Sequence, residues 1–275
     1  MAHLPPDHAR FVARALPILE AEPRLEGIAA AGSWITDDLD VYSDLDFVLA
    51  CSREDHAALL SGLPALAGKL GRLLSAFTGE HVGEPRLLIC LYEDPLLHVD
   101  LKLVATDDLA RRIEDPVVLF DRRGAVAAAL ASAPPRPIAP DRQWLEDRFW
   151  VWVHYAATKL GRGELLEVLS FLDSMRTLVL APLVLEARGA LVRGVRRFER
   201  FATDETPALV ATIASHDREE CTAAIRACVA HYRRLRAAGP PVVLRGETER
   251  AAVAFFERVA ARAEGSPRTW GAGSS

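Results

Sequence analysis

A ten-residue segment with four prolines divides this chain into two halves of different character. Residues 131–140 read ASAPPRPIAP. Such a density of proline cannot continue a helix or a central strand, because a proline has no backbone N–H to donate. Before the segment, patterns typical of strands and of helices alternate, and after it nearly every stretch has a helical period. The sequence therefore predicts two domains, 1–135 with mixed structure and 136–275 with helices only.

The periodicity predicts individual elements within each half. In the first half, Thr106 is expected to cap a short helix that ends at Ile113. The tail from Gly265 is rich in Gly and Ser, and we expect it to fray. The predicted helices are 6–21, 54–75, 141–160, 164–188, 205–213, 217–237 and 246–264, and the predicted strands are 25–31, 44–51, 86–92, 96–104 and 117–120, of which 86–92 and 96–104 form a hairpin.

Composition excludes several classes of protein. The chain has 275 residues, of which 50% are hydrophobic and 26% charged, so a disordered or fibrous protein is excluded. No uninterrupted apolar run approaches the roughly 20 residues that a membrane span needs, and the N-terminus lacks a signal-peptide pattern. We therefore expect a soluble, cytoplasmic protein. Its four cysteines form no CxxC pair and are expected to be buried, reduced thiols.

Charge is distributed unevenly between the two halves. Residues 1–135 contain 12 Lys and Arg against 21 Asp and Glu, whereas residues 136–275 contain 21 against 17. The net charge of -5 thus hides an acidic first half and a basic second half. This asymmetry indicates two modules that carry different parts of one function.

Two aspartates lie in the second predicted strand, in the sequence DLDFVLAC. Residues i and i+2 of a strand point to the same face, so Asp44 and Asp46 present their carboxylates side by side while Leu45 and Phe47 point to the core. Like charges at neighbouring positions repel one another, and a divalent cation between them relieves that repulsion. The spacing therefore indicates a candidate metal site.

Asp100 and a Gly-Ser pair add to this candidate site. Asp100 lies in mid-strand between Val99 and Leu101, where aspartate is disfavoured. If its strand neighbours that of Asp44 and Asp46, the three carboxylates converge. Gly32 lets the backbone approach a phosphate, and Ser33 can donate a hydrogen bond to it. Together these residues suit phosphoryl chemistry that uses Mg²⁺.

The pattern Gly32, Ser33, Asp44, Asp46, Asp100 resembles the nucleotidyltransferases of the DNA polymerase β superfamily. Residues 149–189, which begin FWVWVHYAATKLGRGELLEV, resemble the helical domain of the streptomycin (aminoglycoside 6-) adenylyltransferases, and VVLFDRRG at 117–124 fits the same family. The resemblance covers most of residues 25–200. It implies an α+β fold, in which an N-terminal mixed β-sheet nucleotidyltransferase domain is followed by a C-terminal α-helical bundle.

The resemblance also implies a reaction and roles for residues. Members of the family transfer AMP from ATP to a hydroxyl and release pyrophosphate, and their action on aminoglycosides gives antibiotic resistance. Asp44 and Asp46 would hold Mg²⁺, and Asp100 would complete the metal site. Asp100 or another nearby carboxylate would take the proton of the acceptor hydroxyl, with Glu84 and Glu93 as the other candidates.

The helical half supplies candidates for binding. Lys159 and Arg162 are three residues apart on one helix face and could contact the triphosphate, or they could form a solvated helix end. Asp147 could receive an amino group of an aminoglycoside. In the first half, Lys102 could pair with the carboxylates or reach a phosphate. The acidic cluster at 37–40 could be a solvated turn or attract a cationic acceptor.

Three functions remain open at this point. The first is an adenylyltransferase with ATP and a small, hydroxylated, cationic acceptor as partners, active as a monomer or homodimer and without nucleic acid or membrane partners. The second is a protein-modifying adenylyltransferase, although such enzymes usually lack so long a helical half. The third is a catalytically silent nucleotide sensor, which would have no physical need for three converging carboxylates.

Overall fold

The structure is a computed structural model that describes residues 4–262. It divides into two compact units, Met1–Pro137 and Ile138–Ser275, with the division inside the proline-rich segment. The tail from Gly265, which the sequence predicts to fray, lies outside the described residues.

The first unit is built on a six-stranded mixed sheet with the strand order β3-β4-β5-β2-β1-β6. Strands β2 and β5 run parallel to each other, and the other neighbouring pairs are antiparallel. The mixed sheet confirms the predicted fold class. The elements of this unit are α1 Pro6–Glu20, β1 Leu25–Ala30, β2 Leu45–Cys51, α2 His56–Ala67, β3 Arg72–Gly79, β4 Glu84–Glu93, β5 Leu97–Ala105, β6 Val117–Asp121 and α3 Ala125–Ala131.

One face of this sheet forms the main core of the first unit. Helices α1 and α2 pack on it, and the buried side chains of β2 and β5 alternate along each strand to meet them. A smaller cluster, in which Val126 of α3 packs near Val104, covers part of the other face. The buried residues of the main core include Phe11, Leu19, Leu45, Phe47, Leu49, Leu63, Val99 and Leu101.

Two predictions for the first unit were wrong, and one helix was missed. The predicted helix 54–75 ends at Ala67, and its last residues belong to strand β3. Gly68 and Gly71 interrupt the helical period there, because glycine favours neither continuation nor packing of a helix. Thr106 caps no helix; its hydroxyl donates to the carbonyl oxygen of Cys51 at 3.1 Å, and only a 3₁₀ segment, Thr106–Ala110, follows. Helix α3 was not predicted.

The described residues of the second unit are helical or irregular. Asp141 caps α4 by accepting a hydrogen bond from the Trp144 N–H at 2.9 Å, and Gly163 ends that helix with a positive φ of 73°. Asp217 caps α9 in the same way. The helices of this unit are α4 Arg142–Arg162, α5 Leu165–Met175, α6 Ala181–Ala187, α7 Phe198–Phe201, α8 Thr206–Val210, α9 Arg218–Ala238 and α10 Gly246–Ala260.

The predicted helix 164–188 is continuous but changes its winding. A π-helical segment, Arg176–Leu180, joins α5 to α6 just before Pro182, whose nitrogen cannot donate to the preceding turn. By length and composition alone, Leu165–Ala187 could cross a membrane, but 56% of its most apolar window is buried within the protein. Burial of this kind is typical of the core helix of a soluble protein. All four cysteines are buried and unpaired, as predicted.

Candidate active site

Two of the three predicted carboxylates lie opposite each other on adjacent parallel strands. Asp46 of β2 is in register with Asp100 of β5, and neighbouring strands are about 4.8 Å apart. Both side chains are half-buried, whereas the residues on either side of each are buried in the main core. We call the sheet face that carries Asp46, His98 and Asp100 the acidic face. The sequence alternation therefore predicted the face correctly, and the register supplies the convergence.

The third predicted carboxylate, that of Asp44, belongs to the residue just before β2. All three acids affect the pKa of one histidine, His98, which was not a predicted site residue. The Nε2 atom of His98 donates to Oδ1 of Asp100 at 2.9 Å. This bond raises the pKa of His98 above its usual value, and the negative charges of Asp44 and Asp46 add to the effect. The charges of all three carboxylates thus raise the pKa of this one imidazole.

Gly32 and Ser33 lie beside Asp46. The N–H of Ala31 donates to the Asp46 carbonyl oxygen at 3.0 Å, and the next residue, Gly32, has a φ of +64°. A Cβ on Gly32 would lie only 2.0 Å from Oδ2 of Asp46. Both the backbone conformation and this contact therefore require glycine at position 32. The close approach is thus to a carboxylate, and the approach of the Gly32 backbone to a phosphate stays a prediction.

The side chain of Ser33 carries a second mark of a binding site. Its residue is 5% exposed, and its hydroxyl oxygen is buried with no hydrogen-bond partner among residues 4–262. Buried hydroxyls are normally hydrogen-bonded, and each exception calls for an explanation. The Ser33 hydroxyl has no acceptor among residues 4–262, and an oxygen of a substrate phosphate at this position would accept its hydrogen bond.

The donor chemistry of the acidic face fits Mg²⁺. Within the described part of the chain, no three His, Cys, Asp or Glu side chains are gathered tightly enough to enclose a metal by themselves. Mg²⁺ does not require such a cage, because it is usually bound by one or two carboxylates, water and substrate phosphates. The registered pair Asp46 and Asp100, with Asp44 nearby, supplies carboxylates of that kind. Their assignment as ligands stays a prediction.

The two alternative candidates for the general base are engaged elsewhere. Arg86 donates to Glu84, and this bond, with help from Lys102, lowers the pKa of Glu84 to about 2. Such a carboxylate is a poor proton acceptor near neutral pH. Glu93 pairs with Arg72 at 2.5 Å. It also lies far from Asp100, because the residue of β4 opposite Asp100 is Ile89, four residues before Glu93. That spacing corresponds to ~13 Å.

Lys102 was predicted either to pair with the carboxylates or to reach a phosphate. It lies two residues after Asp100 on β5, and its Nζ atom contacts Oε2 of Glu84 at 2.8 Å. The lysine therefore pairs with a carboxylate, although with one outside the predicted triad. The acidic cluster is also better defined: Asp40 accepts hydrogen bonds from the Tyr42 N–H and the Ser43 hydroxyl, so this member shapes a turn.

The binding candidates of the second unit have protein partners of their own. Lys159 contacts Glu164 at 2.7 Å and lies over the ring of Tyr155, and Arg162 lies 3.8 Å from the same glutamate. These contacts raise the pKa of Lys159, chiefly through Glu164. Both cations are in the last turn of α4, as predicted, and their contact with a triphosphate stays a prediction.

Asp147 is likewise paired within the second unit. Its Oδ1 atom accepts from Nε of Arg245 at 2.7 Å and from Gln143 at 2.8 Å. Arg245 is the main cause of a pKa below the usual range of aspartate. An amino group of an acceptor would therefore compete with Arg245 for this carboxylate, and the predicted role remains untested.

The neighbouring residue, Glu146, is a buried acid that the sequence analysis did not select. Its exposure is 0%, and its carboxylate accepts from Trp150, Tyr232, Arg236 and the backbone N–H of Arg245 at 2.9–3.1 Å. Burial alone would raise the pKa of Glu146, but these donors outweigh burial and keep the pKa below its usual value. The donors lie 4 to 99 residues away along the chain, so sequence spacing gave no signal for most of them.

Comparisons with known proteins give structural likenesses only. No family model matches the chain, and no curated protein matches it. An aminoglycoside 6-adenyltransferase from Bacillus subtilis is 14% identical, with 93% of this chain and 98% of that chain covered and a TM-score of 0.39. A nucleotidyltransferase-like protein from Exiguobacterium sibiricum is 13% identical, with coverages of 92% and 80% and a TM-score of 0.34.

A third solved structure contains ligands. It is a spectinomycin adenyltransferase from Enterococcus faecialis with ATP and spectinomycin, 9% identical, with coverages of 91% and 98% and a TM-score of 0.30. These similarities are too low to support functional conclusions. The proposals below therefore depend on the geometry of the acidic face and on the resemblance of the motifs.

Proposed function

We propose that this protein is a Mg²⁺-dependent nucleotidyltransferase that transfers AMP from ATP to a hydroxyl of a small molecule and releases pyrophosphate. The observation that carries the proposal is the meeting of Asp46, Asp100 and Gly32 at one end of the acidic face. Asp46 and Asp100 are in register, and a Cβ on Gly32 would collide with the Asp46 carboxylate. A purely structural site gains nothing from gathering like charges.

The proposed reaction divides the work among these residues. Asp44, Asp46 and Asp100 would hold the metal, which neutralises phosphate charge and orients the triphosphate when bound. The backbone at Gly32 and the hydroxyl of Ser33 would donate to the departing pyrophosphate. The acceptor oxygen attacks the α-phosphorus as the bond to the bridging oxygen breaks, and the acceptor proton passes to Asp100. The low pKa of Glu84 and the ion pair of Glu93 with Arg72 favour Asp100 in this role.

The acceptor that we propose is an aminoglycoside. The support is the motif resemblance and the acidic first half, and Asp147 would receive an amino group of this acceptor. Lys159 and Arg162 would contact the triphosphate. The reaction would take place in the cytoplasm, where ATP and Mg²⁺ are available.

A direct assay tests the proposal. Purified protein is incubated with ATP, Mg²⁺ and each member of an aminoglycoside panel that includes streptomycin, and pyrophosphate release is followed. We expect release with at least one member and none without an acceptor. Absence of release with every member rejects an aminoglycoside acceptor. AMP-modified proteins in a treated lysate would then support the protein-modifying alternative, and ATP binding without any turnover would support the sensor.

A further inference from the structure

A histidine on the first helix contacts the segment that leads into the candidate metal site. His8 lies in the first turn of α1 and is 1% exposed. Its Nε2 atom is 2.7 Å from the carbonyl oxygen of Ser43, which is 35 residues away along the chain. A carbonyl oxygen only accepts hydrogen bonds, so Nε2 carries the hydrogen and donates it.

The position of His8 on α1 makes this contact unusual. The buried side chains of α1 are His8, Phe11, Ala15 and Leu19, which form the apolar stripe of an amphipathic helix. A histidine in such a stripe places a polar ring where an aliphatic residue would avoid desolvation. The hydrogen bond to Ser43 offsets this cost at Nε2, whereas Nδ1 is buried with no hydrogen-bond partner among residues 4–262.

The segment that His8 holds is already folded as a turn. The Asp40 N–H donates to the Ser43 hydroxyl, and that hydroxyl donates to Oδ1 of Asp40, both at 3.1 Å. The same carboxylate oxygen accepts from the N–H of Tyr42 at 2.9 Å. The turn therefore has a defined shape of its own, and the bond from His8 attaches its last residue to α1.

The contact acts on Asp44 through a rigid unit. The carbonyl group of Ser43 and the N–H of Asp44 belong to one peptide plane, and that plane resists twisting. A donor that fixes the carbonyl direction therefore fixes the start of Asp44, whose carboxylate is a proposed metal ligand. We infer that His8 is a positioning residue, which orients Asp44 for metal binding through the Ser43–Asp44 peptide plane. The inference rests on the proposed function.

Metal affinity tests this inference without an assay of turnover. Mn²⁺ replaces Mg²⁺ as a paramagnetic probe, and its binding to the full chain is measured by electron paramagnetic resonance. His8→Leu keeps apolar bulk but has no donor, whereas His8→Gln offers an amide N–H near the position of Nε2. Phe11→Leu is the matched control, because Phe11 is buried on the same helix and its ring packs against Tyr92 at 4.8 Å.

We expect His8→Leu to weaken Mn²⁺ binding by about tenfold or more, the effect typical of losing a residue that orients a metal ligand. His8→Gln should recover much of the affinity. Phe11→Leu should lower the melting temperature while leaving Mn²⁺ affinity unchanged. Melting curves of all variants fix a temperature at which each one is folded.

The outcomes separate this inference from the proposed function. Wild-type affinity in folded His8→Leu, or an equal loss in Phe11→Leu, would overturn the role of His8 and leave the metal site standing. Absence of Mn²⁺ binding in the wild-type protein would overturn the metal site, and the role of His8 with it.

Discussion

The acidic side chains of the two units have opposite surroundings. On the acidic face of the first unit, Asp46 and Asp100 are neighbours across two strands, and Asp44 is close enough to affect the same histidine. In the second unit, Glu146 is completely buried, and three side-chain donors and a backbone N–H surround its carboxylate.

The difference shows what each arrangement contributes. Glu146 joins α4 to α9 and to the start of α10, so removing it leaves buried donors unsatisfied. The acids of the sheet face place like charges together, which opposes folding, and the proposed metal would relieve that repulsion. Loss of Glu146 should therefore reduce stability, whereas loss of the aspartate charges should reduce activity.

The largest expected effect is on transfer. Asp46→Asn, and separately Asp44→Asn, should reduce the transfer rate by roughly 10³-fold or more, because metal stabilisation of several kcal/mol is lost. The free energy of unfolding should stay equal or rise, since the repulsion among the acids is relieved. Steady-state kinetics and urea unfolding provide the two measurements.

Asp107→Asn is the control for these variants, because Asp107 is an exposed aspartate of the same unit and lies in the 3₁₀ segment that follows β5. It should keep the wild-type rate. Normal turnover in both Asp44→Asn and Asp46→Asn would remove the metal assignment.

The second effect is on stability. Glu146→Ala should lower the free energy of unfolding by about 3–5 kcal/mol, because Arg236 and the other donors lose a buried partner. Glu257→Ala is its control: Glu257 pairs with Arg226 on the surface of the same unit, at 2.6 Å, and an exposed pair contributes about 1 kcal/mol or less. Denaturant unfolding compares the two variants, and equal losses of stability would contradict the structural role of Glu146.

The third prediction compares two glycine variants to separate the cost of the backbone conformation from the cost of crowding at the site. Gly32 and Gly83 both have positive φ, but an added Cβ meets Oδ2 of Asp46 at Gly32 and nothing within 4 Å at Gly83. Gly83→Ala should cost about 1–2 kcal/mol and leave transfer unchanged. Gly32→Ala should cost more and also slow transfer by about 10²-fold, because it displaces Asp46. Similar transfer rates in the two variants would show that the contact at Gly32 is unimportant.

The smallest effect concerns pH. The pKa of Glu84 lies at about 2, below its usual 4.5, so Glu84 contributes stability above pH 4.5 that is lost as the pH falls toward 2. Its side chain and that of Arg86 are partly exposed, which reduces the contribution to roughly 1–2 kcal/mol.

Glu84→Gln should therefore be less stable than the wild type at pH 6, and the difference should shrink between pH 4.5 and 2. Thermal unfolding over this range measures it, and transfer at neutral pH should continue. A difference that does not depend on pH, or a loss of transfer, would give Glu84 another role.

The predictable parts of the structure were those with a local signal. Alternation around Asp46 and Asp100 fixed which face they occupy, Pro95 marked the hairpin between β4 and β5, and helical periods gave the long helices of the second unit. Strand β3 was not predicted, because it is an edge strand with most side chains exposed or half-buried. Without burial on one face, its residues show no alternation that distinguishes them from the preceding helix.

The remaining parts of the site depend on distant partners. His98 could have been found, since it lies two residues before Asp100 and shares its strand face. Glu146 and His8 could not, because their hydrogen-bond partners are set by packing between elements far apart in the chain. A single sequence shows that such a residue is polar, but not which atom it contacts.

The fate of the ATP phosphates tests the central claim most directly. Wild-type protein and Asp46→Asn are incubated with Mg²⁺, streptomycin and ATP labelled at either the α- or the γ-phosphate, and the labelled products are separated. Nucleotidyl transfer at the acidic face predicts that the wild type places the α-label on streptomycin and the γ-label in pyrophosphate, and that Asp46→Asn does neither. Transfer of the γ-label to streptomycin, or undiminished transfer of the α-label by Asp46→Asn, would contradict it.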